Sequence, residues 1–93
     1  MYLHLGEQTV VRASTVVGIF DTDNTTLSKV TREYLSRAEQ EGRMITITLD
    51  LPKSFVVCKD DNGDERIYLC QLSAATLKKR LLARESNRRE IPT

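Results

Sequence analysis

Ninety-three residues, 40 % hydrophobic and 29 % charged, make one small domain that can fold alone with little margin, too apolar for a disordered chain. No apolar run approaches the ~20 residues of a membrane span, and Met1-Tyr2-Leu3-His4-Leu5 lacks the basic start and cleavage site of a secretion signal, so a cytoplasmic protein is expected. The net charge of +1 hides a segregation: residues 1–77 carry eight Lys and Arg against eleven Asp and Glu, a net of −3, and residues 78–93 carry six against two, a net of +4.

Tyr2 to Leu5 reads as a short strand ended by Gly6. Thr9 to Arg12 and Thr15 to Phe20 are β-branched runs, either one bent strand or two strands joined at Arg12-Ala13-Ser14. The lone His4 has no Cys or His partner at metal spacing and is expected to be a packed or edge side chain. After the second run comes Asp21-Thr22-Asp23-Asn24-Thr25. An apolar strand followed by Asp-x-Asp-x-Thr resembles the nucleophile motif of haloacid-dehalogenase-type phosphatases, where the first Asp attacks phosphorus and both organise Mg²⁺. Those enzymes need a larger doubly wound domain with further acidic residues on later strands, and the remaining chain here reads as antiparallel hairpins. Asp21, Asp23 and Asn24 are expected to form a polar turn that helps cap a helix.

From Thr26 the period changes. Leu27, Val30, Tyr34, Leu35 and Ala38 share one face of an amphipathic helix, which Thr25 or Thr26 can cap and Gly42 can end in the left-handed conformation. Met44 to Leu49 alternates as a strand, and Pro52 marks a loop. Ser54–Lys59 and Arg66–Leu72 flank Asn62-Gly63, the strongest short-range hairpin signal because both residues tolerate positive φ. With those two residues as the loop, Cys58 faces Ile67 and Cys70 faces Phe55, so the two thiols point to opposite faces and cannot bridge. Both are read as buried small hydrophobes in a reducing compartment. Asp60, Asp61, Asp64 and Glu65 around the turn hint at a calcium loop, but with Gly63 sixth the first ligand would be Cys58 and the twelfth Leu69, and neither suits Ca²⁺.

Both faces of this hairpin are apolar, whereas an antiparallel hairpin with a wet side alternates with polar residues. Two helices can cover one face; the other needs the N-terminal strands or a second subunit. Self-association is therefore expected, as it also is from open strand edges. Ser73 is a good N-cap for a last helix with Ala74, Leu77, Leu81 and Leu82 as its apolar residues. Its Lys78, Lys79 and Arg80, with Arg84, Arg88 and Arg89 beyond, form a patch suited to nucleic acid or an acidic surface. Alternatively they decorate an exposed helix end, where they suit its dipole.

Four stretches, Met1-Tyr2-Leu3-His4-Leu5-Gly6, Val16-Val17-Gly18-Ile19-Phe20-Asp21, Pro52-Lys53-Ser54-Phe55-Val56-Val57 and Ser73-Ala74-Ala75-Thr76-Leu77-Lys78-Lys79-Arg80, stand in the order and spacing of a known family. The chain resembles the RemA/RemB family of small bacterial extracellular-matrix regulators, on its RemB side, over residues 1–82. The resemblance implies a cytoplasmic, non-enzymatic DNA-binding regulator of biofilm-matrix genes. It also implies a fold likened to LytTR-type DNA-binding domains, and ring-shaped homo-oligomers around which DNA can lie. RemA-type members carry an Arg-Arg-Thr-Arg loop where this chain has Leu51, Pro52, Lys53 and Ser54, and an Arg where it has Thr15. Arg12, three residues earlier, can serve in its place.

The expected architecture is a mixed α+β domain over residues 1–82, a small mainly antiparallel sheet with two helices, followed by a basic, flexible tail over 83–93. It is expected to assemble as a homo-oligomer and to hold double-stranded DNA through Arg12, Lys53, Lys78, Lys79 and Arg80. The alternative is a structural or protein-interaction subunit of the same fold that acts without DNA. No catalytic residue, metal, cofactor, small-molecule substrate or membrane contact is expected.

Overall fold

The computed structural model describes the backbone of residues 1–6, 8–22 and 28–90 and the side chains of those through residue 83. In chain order the elements are β1 (Tyr2–His4), β2 (Val10–Arg12), a 3₁₀ turn (Ala13–Thr15), β3 (Val16–Asp21), α1 (Lys29–Gln40), β4 (Met44–Thr46), β5 (Ser54–Lys59), β6 (Glu65–Cys70) and α2 (Ala74–Glu90). This is the α+β class the sequence predicts. The two N-terminal apolar runs are separate strands of separate sheets. β1 and β2 form a two-stranded antiparallel ribbon, and the larger sheet has the order β3-β5-β6-β4. Pairing there is antiparallel except between β4 and β6, which run parallel. β3 and β4 are thus parallel to each other, with the β5–β6 hairpin seated between them and α1 as the crossover.

Each helix is set by its ends. Ser28 caps α1, its Oγ accepting from the Thr31 N–H at 3.1 Å; Thr25 and Thr26, the caps expected from sequence, lie outside the described residues, as does Leu27. Gly42 ends α1 with φ 73°: its N–H donates to the Glu39 carbonyl and the Arg43 N–H to that of Ala38, which closes the helix as a Schellman motif. Ser73 caps α2, accepting from the Thr76 N–H at 3.1 Å. α2 continues helical to Glu90, through residues assigned to the tail, and residues 91–93 lie outside the description.

The hairpin turn differs from the expected one by a single residue. Asp60 accepts the Asn62 and Asp64 N–H groups on its carboxylate, both at 2.9 Å, and the Gly63 N–H on its carbonyl. Gly63 has φ 86°. The loop is therefore a three-residue turn closed by a left-handed glycine, and Lys59 pairs with Glu65, Cys58 with Arg66 and Ser54 with Cys70. This slip of one position exchanges the faces of β6 relative to β5. Phe55, Val57, Ile67 and Leu69 lie under Ala38, Tyr34 and Leu35 of α1. Val56, Cys58, Tyr68 and Cys70 lie on the other face, with Leu3, Leu5 and Val11 of the ribbon, Ile19 of β3 and Ala74 and Leu77 of α2.

Two expectations change with that register. Cys58 and Cys70 share a face instead of opposing one another, yet both are free. The β6 partner of Cys58 is Arg66, four residues from Cys70 and about 13 Å away along the strand, beyond disulfide reach. The apolar faces are also covered within the chain, one by α1 and the other by α2 with the ribbon. The apolar surface left over is elsewhere. Val30, expected on the buried face of α1, is 75 % exposed, and Leu82 is exposed as well.

Candidate nucleic-acid interface

Lys53 stands where three elements meet. Its N–H donates to the Cys70 carbonyl at 2.8 Å, and its own carbonyl accepts from the Thr22 N–H at 3.0 Å. The Thr22 hydroxyl donates to the neighbouring Pro52 carbonyl at 2.6 Å. The backbone is held at the ends of β3 and β6 while the ammonium stays exposed. The loop before it is tied the same way. β4 ends at Thr46, short of the expected Leu49, because the chain then turns onto Gln71. The Gln71 amide donates to the Asp50 carboxylate at 3.0 Å, its oxygen accepts from the Thr48 hydroxyl, and Thr48 accepts the Asp50 N–H. These bonds turn Thr48 and Asp50 towards Gln71 at the surface, and Leu49 and Leu51 are left 107 % and 88 % exposed. The single cation of this loop therefore sits beside two solvent-facing leucines.

On α2 the inward positions are Ala74 and Leu77, with Leu81 half-buried, so Lys78, Lys79 and Arg80 are left exposed. Arg80 lines an open cleft of about 840 Å³ with His4, Thr9, Ile47, Asp50 and Gln71. Arg12 closes β2 and is exposed; its carbonyl accepts from the Thr15 hydroxyl at 2.7 Å. The 3₁₀ turn leads from it to Val16, which pairs with Cys58, five residues and about 17 Å of strand beyond Lys53. One chain therefore brings Arg80 to the loop end of the sheet with Lys53 and carries Arg12 towards the other. Among the described residues the ion pairs involve Lys29 and Arg43, and none of Arg12, Lys53, Lys78, Lys79 and Arg80.

The remaining polar groups are structural in their surroundings. Arg43 bridges Glu41 and Glu65, with N···O distances of 2.8 and 3.2 Å, and lies 6.0 Å from the Tyr34 ring centre. The Tyr34 hydroxyl is buried without a hydrogen-bond partner of good geometry, and burial together with the adjacent Glu65 carboxylate pushes its pKa up. Burial also raises both thiols, Cys70 to about 11, so neither is a ready nucleophile. Asp21 ends an edge strand paired antiparallel with β5, not a central strand of a doubly wound sheet; Asp23, Asn24 and Thr25 lie outside the described residues. No group of three or more candidate metal ligands occurs among the described residues, and no described helix is long and apolar enough to cross a membrane.

A sequence model of the RemA-like family, described as extracellular matrix regulatory protein A-like, matches residues 2–81. The chain belongs to the RemA-like family. It is also 38 % identical over 80 residues to extracellular matrix regulatory protein B of Bacillus subtilis (strain 168), a match that covers 86 % of this chain and 89 % of that one. The RemA-like match begins at the first residue of β1 and ends at Leu81 of α2. It takes in the ribbon, the whole larger sheet, α1 and the three exposed cations of α2, and stops before the rest of that helix. The sequence pointed to the α2 cluster by its charge and to Lys53 by its place in the family resemblance. It did not single out Leu49 and Leu51, because their outward orientation follows from the Gln71 hydrogen bonds.

Proposed function

We propose that this chain is a cytoplasmic, non-enzymatic, DNA-binding regulator of extracellular-matrix, or biofilm, gene expression that acts as a homo-oligomer. Membership of the RemA-like family and the similarity to the B. subtilis extracellular matrix regulatory protein B support the matrix role. One observation carries the DNA part: Arg12, Lys53, Lys78, Lys79 and Arg80 stand exposed and have no ion-pair partner among the described residues. Such groups neutralise phosphates, and phosphate neutralisation supplies most non-specific affinity for duplex DNA. Assembly would repeat each cation around the oligomer and multiply weak contacts. Exposed apolar residues outside the covered hairpin and open strand edges support assembly: Val17 and Phe20 are 64 % and 46 % exposed, and among the described residues β3 and β4 each pair on one side alone.

Leu49 and Leu51 favour a second reading, an oligomeric structural or protein-interaction subunit without direct DNA contact. Two leucines held fully out on a hydrogen-bonded loop are the kind of apolar surface that marks a protein contact. A salt titration of duplex-DNA binding, run beside light-scattering mass, separates the two readings. The DNA reading expects binding that weakens steeply with salt and a mass well above 10.6 kDa. An oligomer that binds no DNA below about 50 mM salt supports the second reading, and a monomer at micromolar concentration removes assembly from both.

A further inference from the structure

The β1–β2 ribbon combines features that its sequence hides. Its register sets Tyr2 opposite Arg12, Leu3 opposite Val11 and His4 opposite Val10. Strand alternation puts the middle pair on one face and the outer two pairs on the other. The middle pair is the anchor: Leu3 and Val11 are 0 % and 8 % exposed within the main core. Tyr2, His4, Val10 and Arg12 must therefore all point away from the body, and all four are exposed. The ribbon is fastened at both ends, by the Leu5 N–H to the Thr9 carbonyl at 2.9 Å and the Ala13 N–H to the Met1 carbonyl at 3.0 Å. None of its four outward residues is a carboxylate, and among the described residues the Arg12 guanidinium has no ion-pair partner.

We propose that this outer face reads base edges in the major groove of duplex DNA, with Arg12 as the principal specificity-determining residue. The inference rests on the DNA-binding reading above and adds to it a mode of recognition that phosphate contact alone does not supply. A major groove about 12 Å wide admits a two-stranded antiparallel ribbon laid flat. Three-residue strands give a ribbon about 10 Å long, enough for two or three base pairs. An Arg presents the fork that pairs with the O6 and N7 acceptors of guanine, His4 can donate to a further acceptor, and the Val10 methyls suit the thymine methyl. α2 packs on this ribbon through Leu77 against the cluster that holds Leu3, and Arg80 lines the same cleft as His4. Arg80 thus stands at the His4 end of the reading face, where a phosphate bordering the groove would run.

The test uses the full chain and a duplex enriched from a random-sequence library by the wild-type protein, with a scrambled duplex of equal length as control. Arg12→Lys keeps the charge and removes the fork. It should weaken binding to the enriched duplex by about 5- to 100-fold, leave the scrambled duplex within about twofold, and abolish protection of guanine N7 from dimethyl sulfate. Tyr2→Phe should change neither. If the wild type enriches no sequence, or Arg12→Lys weakens both duplexes alike, the ribbon is not a reader, although the DNA reading stands. If the wild type binds no duplex even at low salt, the DNA reading fails and the ribbon proposal with it.

Discussion

Gly18→Ala tests the packing of β3 through a change of sign. A Cβ built on Gly18 would come within 2.6 Å of the Phe20 ring, which folds back over the glycine and stacks on Phe55 at 5.0 Å between centroids. Backbone strain does not enter, since Gly18 is not among the glycines with positive φ. Phe20 is 46 % exposed, so its ring can swing out and the backbone need not move. That movement forfeits the stack, about 0.5–1.5 kcal/mol, and roughly 1 kcal/mol of the burial of a half-covered aromatic. Alanine in place of a strand glycine returns about 0.5–1 kcal/mol of backbone entropy. The net is a loss of about 0.5–2 kcal/mol, or several degrees in Tm for a domain of this size. In a Phe20→Ala background the clash at Gly18 is gone, every other atom lying no closer than 3.7 Å, and the same substitution should stabilise by about 0.5–1 kcal/mol. Urea denaturation of the four proteins of this cycle measures both numbers. A Gly18→Ala variant more stable than wild type, or one equally destabilised with and without Phe20, would refute the ring contact as the cause.

Ser54 is 0 % exposed and donates to the Leu72 carbonyl at 2.7 Å; Ser54→Ala should cost about 1–3 kcal/mol in urea denaturation by stranding that carbonyl, and a loss under 0.5 kcal/mol would mean the bond is dispensable. The Cys70 thiol titrates near 11 when folded against an ordinary 9.0, so between those values the unfolded chain has released a proton the folded chain keeps. Stability is thus complete below about pH 9 and falls as pH rises towards 11, by up to about 3 kcal/mol, with Cys58 and Tyr34 acting in the same direction; Cys70→Ala should flatten the fall seen in denaturation midpoints, and an unchanged profile would contradict the assignment. Lys53→Ala should lower the magnitude of the log–log salt slope of DNA binding by about 0.9 for each subunit engaged, and Lys78→Ala with Lys79→Ala by about 1.8, on all sequences alike. Binding that survives both sets with its slope intact would place the DNA on another surface.

The start of α2, the end of α1 and the strand composition were legible in the sequence because they are local, whereas α1 starts at Ser28 and α2 runs on to Glu90, neither of which was expected. Ser73, Gly42 and the Asn62-Gly63 turn each stand where their chemistry expects. The register was not legible, because a two-residue turn and a three-residue turn both place Gly63 at positive φ, and the choice lies with the Asp60 carboxylate and the two N–H groups it accepts. That one residue decided which face each cysteine occupies. Of the candidate site, exposed cations could be read from charge alone. The company they keep could not: Leu49 and Leu51 beside Lys53 follow from Gln71, eighteen residues after Lys53 in the chain, and Tyr2 beside Arg12 follows from cross-strand pairing of two three-residue strands.

The order β3-β5-β6-β4 also dictates a sequence of events when the chain folds. β3 and β4 leave the ribosome before the hairpin, yet neither can pair until β5 and β6 exist to lie between them. The hairpin closes over a three-residue loop and needs no distant partner, whereas β4 must join β6 in parallel across a longer connection, which is slow. The hairpin is therefore expected to form first, with β3 and its bulge before Gly18 docking on one side and the three residues of β4 on the other. In the native state the order reverses. Amide hydrogens of β5 and β6 should exchange only on global unfolding, and β4 should open first by a local excursion, peeling the leucine-bearing loop away while the ribbon and α2 stay in place.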